Sequence, residues 1–296
     1  MSAATVRAGR RNVEISSPDK LLFPRAGVTK LDLARYYAEV APAMVPLVRD
    51  RPVTMHSYPG GIERGGIFIK AAPAHFPDWV PRATMRKRGG TVTHALANDA
   101  AALVYLAGQN VITPHIWLSR VDEPHKPDRV IFDLDPPGER GFADVRAAAS
   151  TLGDLLRDRG LATYAMVTGS KGVHVVVPVR RRHGYAAVYH WAKAVGQELV
   201  DTSPRKLTLE FLKENREQRI YVDVRRNAYA QHAVAPYAVR PRDRAPVAMP
   251  IHWDELSDRN LRPQRWTVES APRRLAAEGN AWRGMTRHAR ALDLGA

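Results

Sequence analysis

Cysteine is absent from this 296-residue chain. Disulfide bonds and thiolate metal ligands are therefore excluded, and the composition fits a reducing compartment. The sequence also has no apolar run of membrane-spanning length, and its first 11 residues lack the apolar core of a signal peptide. We therefore expect a cytoplasmic protein without membrane attachment, beginning with a basic flexible arm over residues 1–12.

Acidic residues are too few to balance the basic ones. The chain has 30 Asp and Glu against 45 Lys and Arg, which gives a net charge of +15. Such an excess raises the local concentration of anions and favours a polyphosphate partner such as nucleic acid. An arginine-rich proteome with a merely solvated surface would produce the same excess, so charge alone leaves both interpretations open.

The most informative stretch runs from Arg129 to Pro137. An apolar, β-branched segment predicts a buried strand, and the prolines that follow predict its end. Asp133 and Asp135 point to the same side because strand side chains alternate. Two neighbouring anions repel unless a cation lies between them, so we predict a site for Mg²⁺ or Mn²⁺ with hard oxygen ligands. An Asp-rich turn after an edge strand is the alternative.

A second landmark is the loop from Thr168 to His174, which lies between two predicted strands. The loop places hydroxyl groups, an ammonium and exposed backbone N–H groups on one concave surface, which is a combination suited to phosphate oxygens. The residues concerned are Thr168, Ser170, Lys171 and His174. The loop lacks the glycine spacing and the following helix of a Walker loop. An ordinary hairpin turn is the alternative.

Three further residues extend this pattern. Asp223 is a single acid in an apolar strand, where it is costly unless paired, and it would be a natural third metal ligand. Arg240 ends an extended segment and suits a bidentate grip on phosphate. His115 lies in an apolar strand, where a histidine is usually a core residue, but it precedes the Asp pair by one loop.

Weaker signals come from the N-terminal third. Lys20 and Lys30 flank a loop and would suit a terminal phosphate, although their spacing alone favours solvated surface lysines. Thr29 is predicted to cap a helix that has Asp32 at its third position. Phe68, in a glycine-flanked strand that ends at Lys70, would suit nucleobase stacking or simply fill core.

The spacing of apolar residues predicts alternating strands and helices, hence a mixed α/β fold. The predicted strands cover residues 13–17, 51–56, 65–70, 91–93, 112–118, 129–135, 163–167, 175–179 and 219–224, and the predicted helices begin at residues 29, 99, 142 and 184. The three acids, the phosphate loop and the basic surface together indicate two-metal nucleotidyl transfer to a primer 3′-hydroxyl.

Six motifs carry a family resemblance: Pro-Asp-Lys at 18–20, Arg-Pro-Val-Thr at 51–54, Phe-Asp-Leu-Asp-Pro at 132–136, Gly-Ser-Lys-Gly-Val-His at 169–174, Val-Asp at 222–223 and Pro-Tyr-Ala-Val-Arg at 236–240. In this order they resemble the polymerase domain of bacterial ligase D, in the archaeo-eukaryotic primase superfamily. The resemblance implies a primase-like core of two closely packed subdomains, with mixed and antiparallel sheets and an RRM-like part. It predicts a single catalytic domain over residues 13–296, divided at about 125 and 250, with a C-terminal packing tail over 251–296.

The resemblance also implies residue roles. Asp133, Asp135 and Asp223 would hold two Mn²⁺ or Mg²⁺ ions. The incoming nucleotide would be held by His115, Thr168, Lys171 and Arg240. The composition of the predicted phosphate loop adds Ser170 and His174 to this set. DNA would be bound by Ser17, Lys20, Lys30, Phe68 and Lys70. The chain departs from the family in having Thr168 for a serine, Ser17 for an asparagine, Ile67 for a second phenylalanine and His56-Ser57 for a basic pair.

The implied substrates are NTPs or dNTPs and DNA whose gap or broken end carries a 5′-phosphate. Ku and a DNA ligase are partners by analogy, and we expect a monomer associated with the bacterial nucleoid. Two alternatives remain. A haloacid-dehalogenase-type phosphatase would use Asp133 as nucleophile, but it expects other residues than Pro136-Pro137 after the pair. A non-catalytic DNA-end binding module would bind such ends without adding nucleotides.

Overall fold

A computed structural model describes residues 3–87, 89–138 and 141–295. Its strands are β1 (Ala3–Ala8), β2 (Arg11–Ser16), β3 (Leu21–Phe23), β4 (Val28–Thr29), β5 (Pro52–Ser57), β6 (Ile67–Ile69), β7 (Arg82–Lys87), β8 (Gly90–Leu96), β9 (Val111–Ile116), β10 (Arg129–Asp135), β11 (Tyr164–Val167), β12 (Val173–Pro178), β13 (Leu207–Thr208), β14 (Ile220–Asp223), β15 (Ala233–Val234) and β16 (Met249–Ile251). Its α-helices are α1 (Lys30–Val48), α2 (Ala100–Gly108), α3 (Phe142–Asp158), α4 (Tyr185–Thr202) and α5 (Ser270–Glu278). Short 3-10 helices cover Pro24–Ala26, Ile62–Arg64, Lys213–Asn215, Arg225–Asn227, Trp253–Ser257 and Met285–His288.

The chain forms two compact units. The first comprises the described residues of Met1–Asp122, His232–Ala248 and Trp266–Asn280, and the second those of Glu123–Gln231, Met249–Arg265 and Ala281–Ala296. The first boundary lies near the predicted one at residue 125. The segment 232–248 was predicted to belong to the catalytic part, but it belongs to the first unit, and the predicted C-terminal tail is shared between both units.

The first unit is built on a sheet in the order β15-β9-β5-β8-β7, with β6 also paired to β5. Helices α1 and α2 pack against each other, and α2 also packs against β2 and β9. The predicted start of α1 is confirmed, because Thr29 Oγ1 accepts from the backbone N–H of Asp32 while the Asp32 carboxylate accepts from the N–H of Thr29. This reciprocal capping satisfies two N–H groups that the first helical turn leaves without intrahelical partners.

The prediction of a flexible arm over residues 1–12 is wrong for its described part. Residues 3–8 form β1, which pairs antiparallel with β2 along its full length. Val6 and Ala8 are buried, whereas Thr5 and Arg7 are exposed, so one face of the hairpin packs on the unit while the basic side chains reach solvent. The alternation of apolar and polar residues was the signal for a strand.

The second unit is built on a sheet in the order β13-β14-β10-β12-β11-β16, which is antiparallel except for the β13–β14 pair. Helices α3 and α4 both contact β10 and each other. The Phe132 and Trp191 rings have centroids 6.4 Å apart, so α4 covers the face of β10 that carries Phe132. Side-chain alternation therefore turns Asp133 and Asp135 to the opposite face.

The predicted class, a mixed α/β fold with antiparallel and mixed sheets, is confirmed. Strand β10 ends at Asp135, immediately before Pro136, as predicted from the two prolines. None of the helices in the described part of the chain is both long and apolar enough to cross a lipid bilayer.

Candidate active site

The strand register of the second unit brings the three predicted acids together. Asp133 on β10 is directly opposite Asp223 on β14 and directly opposite His174 on β12. Asp135 is opposite Tyr221, one row further along the same face. His174 is buried, with its Nε2 3.3 Å from Asp133 Oδ1. The sequence assigned His174 to the nucleotide, whereas its contact in the structure is with the first acid.

Asp223 is held by several donors. Its Oδ1 accepts from the Tyr221 hydroxyl at 3.2 Å and from the backbone N–H of Arg225 at 2.8 Å. Burial, followed by the charge on Asp223, raises the pKa of Tyr221, so this phenol keeps its proton as a donor. Arg226 Nε lies 3.3 Å from Asp223 Oδ2 and 3.9 Å from Asp133 Oδ2. The guanidinium therefore places a positive charge between two of the acids.

The carboxyl groups of Asp135 and Asp223 have raised pKa values because they are buried close to other acids. Burial, and next the charge on Asp133, raise the pKa of Asp135 to about 7, against the smaller opposing effects of His174 and Arg226. Burial also raises the pKa of Asp223, where Arg226 opposes the shift. Two carboxyl groups with raised pKa on one sheet face store unfavourable energy that a bound cation would relieve.

The donor set fits a hard divalent cation. Three carboxylates on adjacent strands provide oxygen ligands of the kind that Mg²⁺ and Mn²⁺ prefer. Among the described residues, however, no group of three His, Cys, Asp or Glu side chains is arranged so that it could hold a metal ion. The positive charge near Asp133 and Asp223 comes instead from Arg226. The carboxylate oxygens thus suit the ion by their chemistry, and the strand register places them on one face of the sheet.

The predicted phosphate loop is a tight turn in the same unit. Thr168 Oγ1 accepts from the backbone N–H groups of Ser170 and Gly172, and the Ser170 carbonyl accepts from Gln264. These two N–H groups were predicted to be exposed for phosphate; they donate within the loop instead. Lys171 is half-buried at the tip of the turn. The loop is thus held by its own threonine and presents the lysine.

Gly172 is required where this loop passes β10. A Cβ at this position would lie 2.1 Å from the Leu134 carbonyl oxygen and 3.1 Å from Asp135 Oδ1. We predict that Gly172→Ala lowers the free energy of unfolding by about 1–3 kcal/mol through overpacking. Thermal unfolding measures this effect. Gly138→Ala is the control, because a Cβ at Gly138 meets nothing within 4 Å; equal melting temperatures for the two variants would contradict the prediction.

The first unit holds the other predicted nucleotide and template residues in an aromatic–imidazole cluster. Phe68 is 54% exposed and stacks on His56 with ring centroids 3.9 Å apart. It meets the His115 ring edge-on at 5.4 Å, and His115 Nδ1 lies 3.2 Å from His232 Nδ1. Burial, and secondarily the charge of Arg240, lower the pKa of His56 to about 4. The structure therefore groups Phe68, His115 and Arg240.

The predicted 5′-phosphate residues also lie in the first unit. Lys30 is buried, and its pKa is lowered by burial and then by the charge of Lys20. Its Nζ is 3.4 Å from Ser16 Oγ. Ser17 has a positive φ of 49° and its carbonyl accepts from the Lys20 N–H. Two ammonium groups close enough to repel are suited to an anion, whereas Lys70 is simply exposed.

Several residues of these clusters were not predicted from the sequence. Tyr221 and Arg226 stand two residues before and three residues after Asp223, so spacing around that acid was an available signal. His232 had no such signal, because its position beside His115 depends on the pairing of β15 with β9. His56 was noted only as a departure from the family pattern.

Comparisons with known proteins found a matching family, similar proteins and a similar solved structure. Residues 29–282 match the family described as LigD, primase-polymerase domain. The chain is 32% identical over 256 residues to the multifunctional non-homologous end joining protein LigD of Mycolicibacterium smegmatis, covering 86% of this chain and 34% of that protein. It is 32% identical over 281 residues to the corresponding DNA repair protein of Mycobacterium tuberculosis, covering 92% of this chain and 37% of that protein.

The chain therefore spans about a third of the length of these relatives. Among solved structures, it is similar to the polymerase domain from Mycobacterium tuberculosis ligase D in complex with DNA, with a TM-score of 0.88 and 32% identity. That match covers 94% of this chain and 99% of that one. The family match over most of the chain, the identity to these relatives and the shared fold lead to one conclusion: the chain belongs to the LigD primase-polymerase domain family.

Proposed function

We propose that this protein is a DNA-dependent nucleotidyltransferase that fills short gaps or extends broken ends in non-homologous end joining. The observation that carries the proposal is the register that sets Asp133 opposite Asp223, with Asp135 one row away on the same face. Acids that are 90 residues apart in the sequence thus share one surface. The family membership supplies the reaction class.

Each acid has a distinct environment that suits the reaction. Asp133 and Asp223 are held by His174 and by Tyr221 respectively, so their carboxylates are oriented before substrate arrives. Asp135 has a raised pKa of about 7 and gains most from a cation. When bound, two divalent ions would lower the pKa of the primer 3′-hydroxyl and stabilise the pyrophosphate leaving group.

The remaining predicted residues would position the substrates. Lys171 on the turn and Arg240 are suited to triphosphate oxygens, and the Phe68 ring to a base. Lys20 and Lys30 would hold the 5′-phosphate of a gap or broken end, because an anion would offset the burial and, next to it, the repulsion from Lys20 that lower the pKa of Lys30. Ku and a DNA ligase are proposed as partners from the end-joining relatives named above.

Primer extension on a one-nucleotide gap tests the proposal. The substrate carries a 5′-phosphate, and Mn²⁺ is supplied with each NTP and dNTP separately. Template-directed addition of one nucleotide is the expected result. Binding without addition would favour the DNA-end binding module, and a phosphoaspartate trapped on Asp133 would favour the phosphatase. The family match gives the phosphatase alternative no support.

Lys20→Ala is predicted to weaken the preference for a phosphorylated gap by about 10-fold or more, because a charge-assisted hydrogen bond contributes about 1.5–3 kcal/mol. Fluorescence anisotropy with matched 5′-phosphate and 5′-hydroxyl gaps measures the preference. Lys126→Ala is the control, because it also removes one positive charge, that of an exposed lysine paired with Glu123. If the two variants retain the same preference, Lys20 does not bind the phosphate.

A further inference from the structure

A cavity of about 550 Å³ opens in the second unit between α4 and the segment 208–225. Its helical wall is formed by Tyr189, Lys193 and Gln197, which are spaced four residues apart and so share one face of α4. The volume falls within the range of pockets that bind small ligands, about 300–1,000 Å³. None of the roles assigned above to the acids, the lysines or the turn uses this cavity.

The opposite wall carries an exposed aromatic ring. Phe211 is 51% exposed although it lines the cavity, and the Arg225 guanidinium lies over its ring at 4.0 Å from the centroid. Arg216 donates to the Glu210 carbonyl at 3.0 Å and to the Phe211 carbonyl at 2.7 Å, which fixes the segment that presents Phe211. The ring is therefore held in place while half of it faces solvent.

The charge of the lining is positive. Lys193, Arg219 and Arg225 are the cations of the lining, and Glu210 is its acid. The Glu210 carboxylate already accepts from the backbone N–H of Leu212 at 3.1 Å. Cations beside a flat aromatic surface suit a ligand that is both planar and anionic, which is the chemistry of a nucleotide.

We propose that this cavity binds a nucleotide of single-stranded DNA, with the base against Phe211 and the phosphate near Lys193. The proposal rests on the proposed function only in taking nucleic acid as the partner. Tyr221 also lines the cavity, and its hydroxyl donates to Asp223. The bound nucleotide therefore lies beside the acid cluster, in a site separate from it.

Binding of a labelled eight-nucleotide oligothymidylate to the full chain tests the proposal, by anisotropy in the presence of EDTA. Phe211→Ala is expected to weaken binding by about 10-fold, because stacking on an aromatic side chain is worth roughly that factor per base. It should also abolish the fluorescence quenching of a 2-aminopurine placed in the strand. Lys193→Gln should reduce the slope of log affinity against log salt by about 0.7.

Leu212→Ala and Lys213→Gln are the matched controls, since both residues neighbour Phe211 but neither lines the cavity. dTMP is added as competitor at the concentration of the oligothymidylate. Failure of dTMP to displace the strand supports binding of a nucleotide within a strand, whereas full displacement would show that a free nucleotide is preferred and would overturn the proposal. Equal affinities and equal quenching for Phe211→Ala and Leu212→Ala would overturn the proposal. Because no metal and no primer are present, this outcome is independent of whether the protein adds nucleotides.

Discussion

Replacing Asp133 with asparagine is expected to reduce nucleotide addition by about 10³-fold or more while leaving DNA affinity within a few-fold of wild type. Asp133 occupies the centre of the acid face, opposite Asp223 and beside His174. Its loss removes an anionic ligand of the ions that would activate the 3′-hydroxyl and stabilise the leaving group, whereas DNA binding depends on Lys and Arg contacts. Single-turnover extension on the phosphorylated gap, with anisotropy on the same DNA, measures both quantities.

Asp154→Asn is the matched control for this substitution. Asp154 is an exposed residue of α3 that pairs with Arg157, and α3 and α4 pack on the sheet away from the acid face. The control therefore makes the same Asp-to-Asn change at a position outside the proposed active site. Extension by Asp133→Asn at a rate within 10-fold of Asp154→Asn would contradict the assignment of Asp133.

Asp135→Asn is expected to stabilise the metal-free protein at neutral pH while it destroys activity. Burial and Asp133 raise the pKa of Asp135 from 3.8 to about 7 in the folded state. Between these values the folded chain holds a proton that the unfolded chain has released, so stability falls as pH rises from about 4 to 7. Asparagine cannot ionise, and at pH 8 the variant should be more stable by roughly 1–4 kcal/mol.

Thermal unfolding at pH 5 and pH 8, with EDTA and with Mn²⁺, measures this effect. The advantage of the variant should be smaller at pH 5, where wild-type Asp135 is protonated. Mn²⁺ should raise the melting temperature of wild type more than that of the variant, because only the wild type has all three ligands. A metal-free variant that melts below wild type at pH 8 would show that Asp135 is not strained by its neighbours.

Local sequence patterns predicted much of the fold. Alternation and the two prolines placed Asp133 and Asp135 on one face at a strand end, and β10 ends at Asp135. The reciprocal cap between Thr29 and Asp32 follows from residue types three positions apart. Such features depend on neighbours in sequence, so they can be derived from a single chain.

Features that depend on strand register could not be derived in the same way. Asp223 was expected near the Asp pair, but its place opposite Asp133 depends on which strands pair. Edge strands were also missed: β7 buries only Met85, so its apolar pattern is weak. Arg226 and His232 contribute through contacts that only the folded chain creates.

Mn²⁺ titration followed by EPR tests the central claim most directly, since the six-line signal of free Mn²⁺ reports binding without catalysis. Wild type is compared with Asp133→Asn, Asp135→Asn and Asp223→Asn, with Asp154→Asn as control. Loss of one ligand from a shared site is expected to weaken Mn²⁺ binding by about 10-fold or more in each of the three variants. Wild-type affinity in Asp223→Asn would contradict a site built from all three acids.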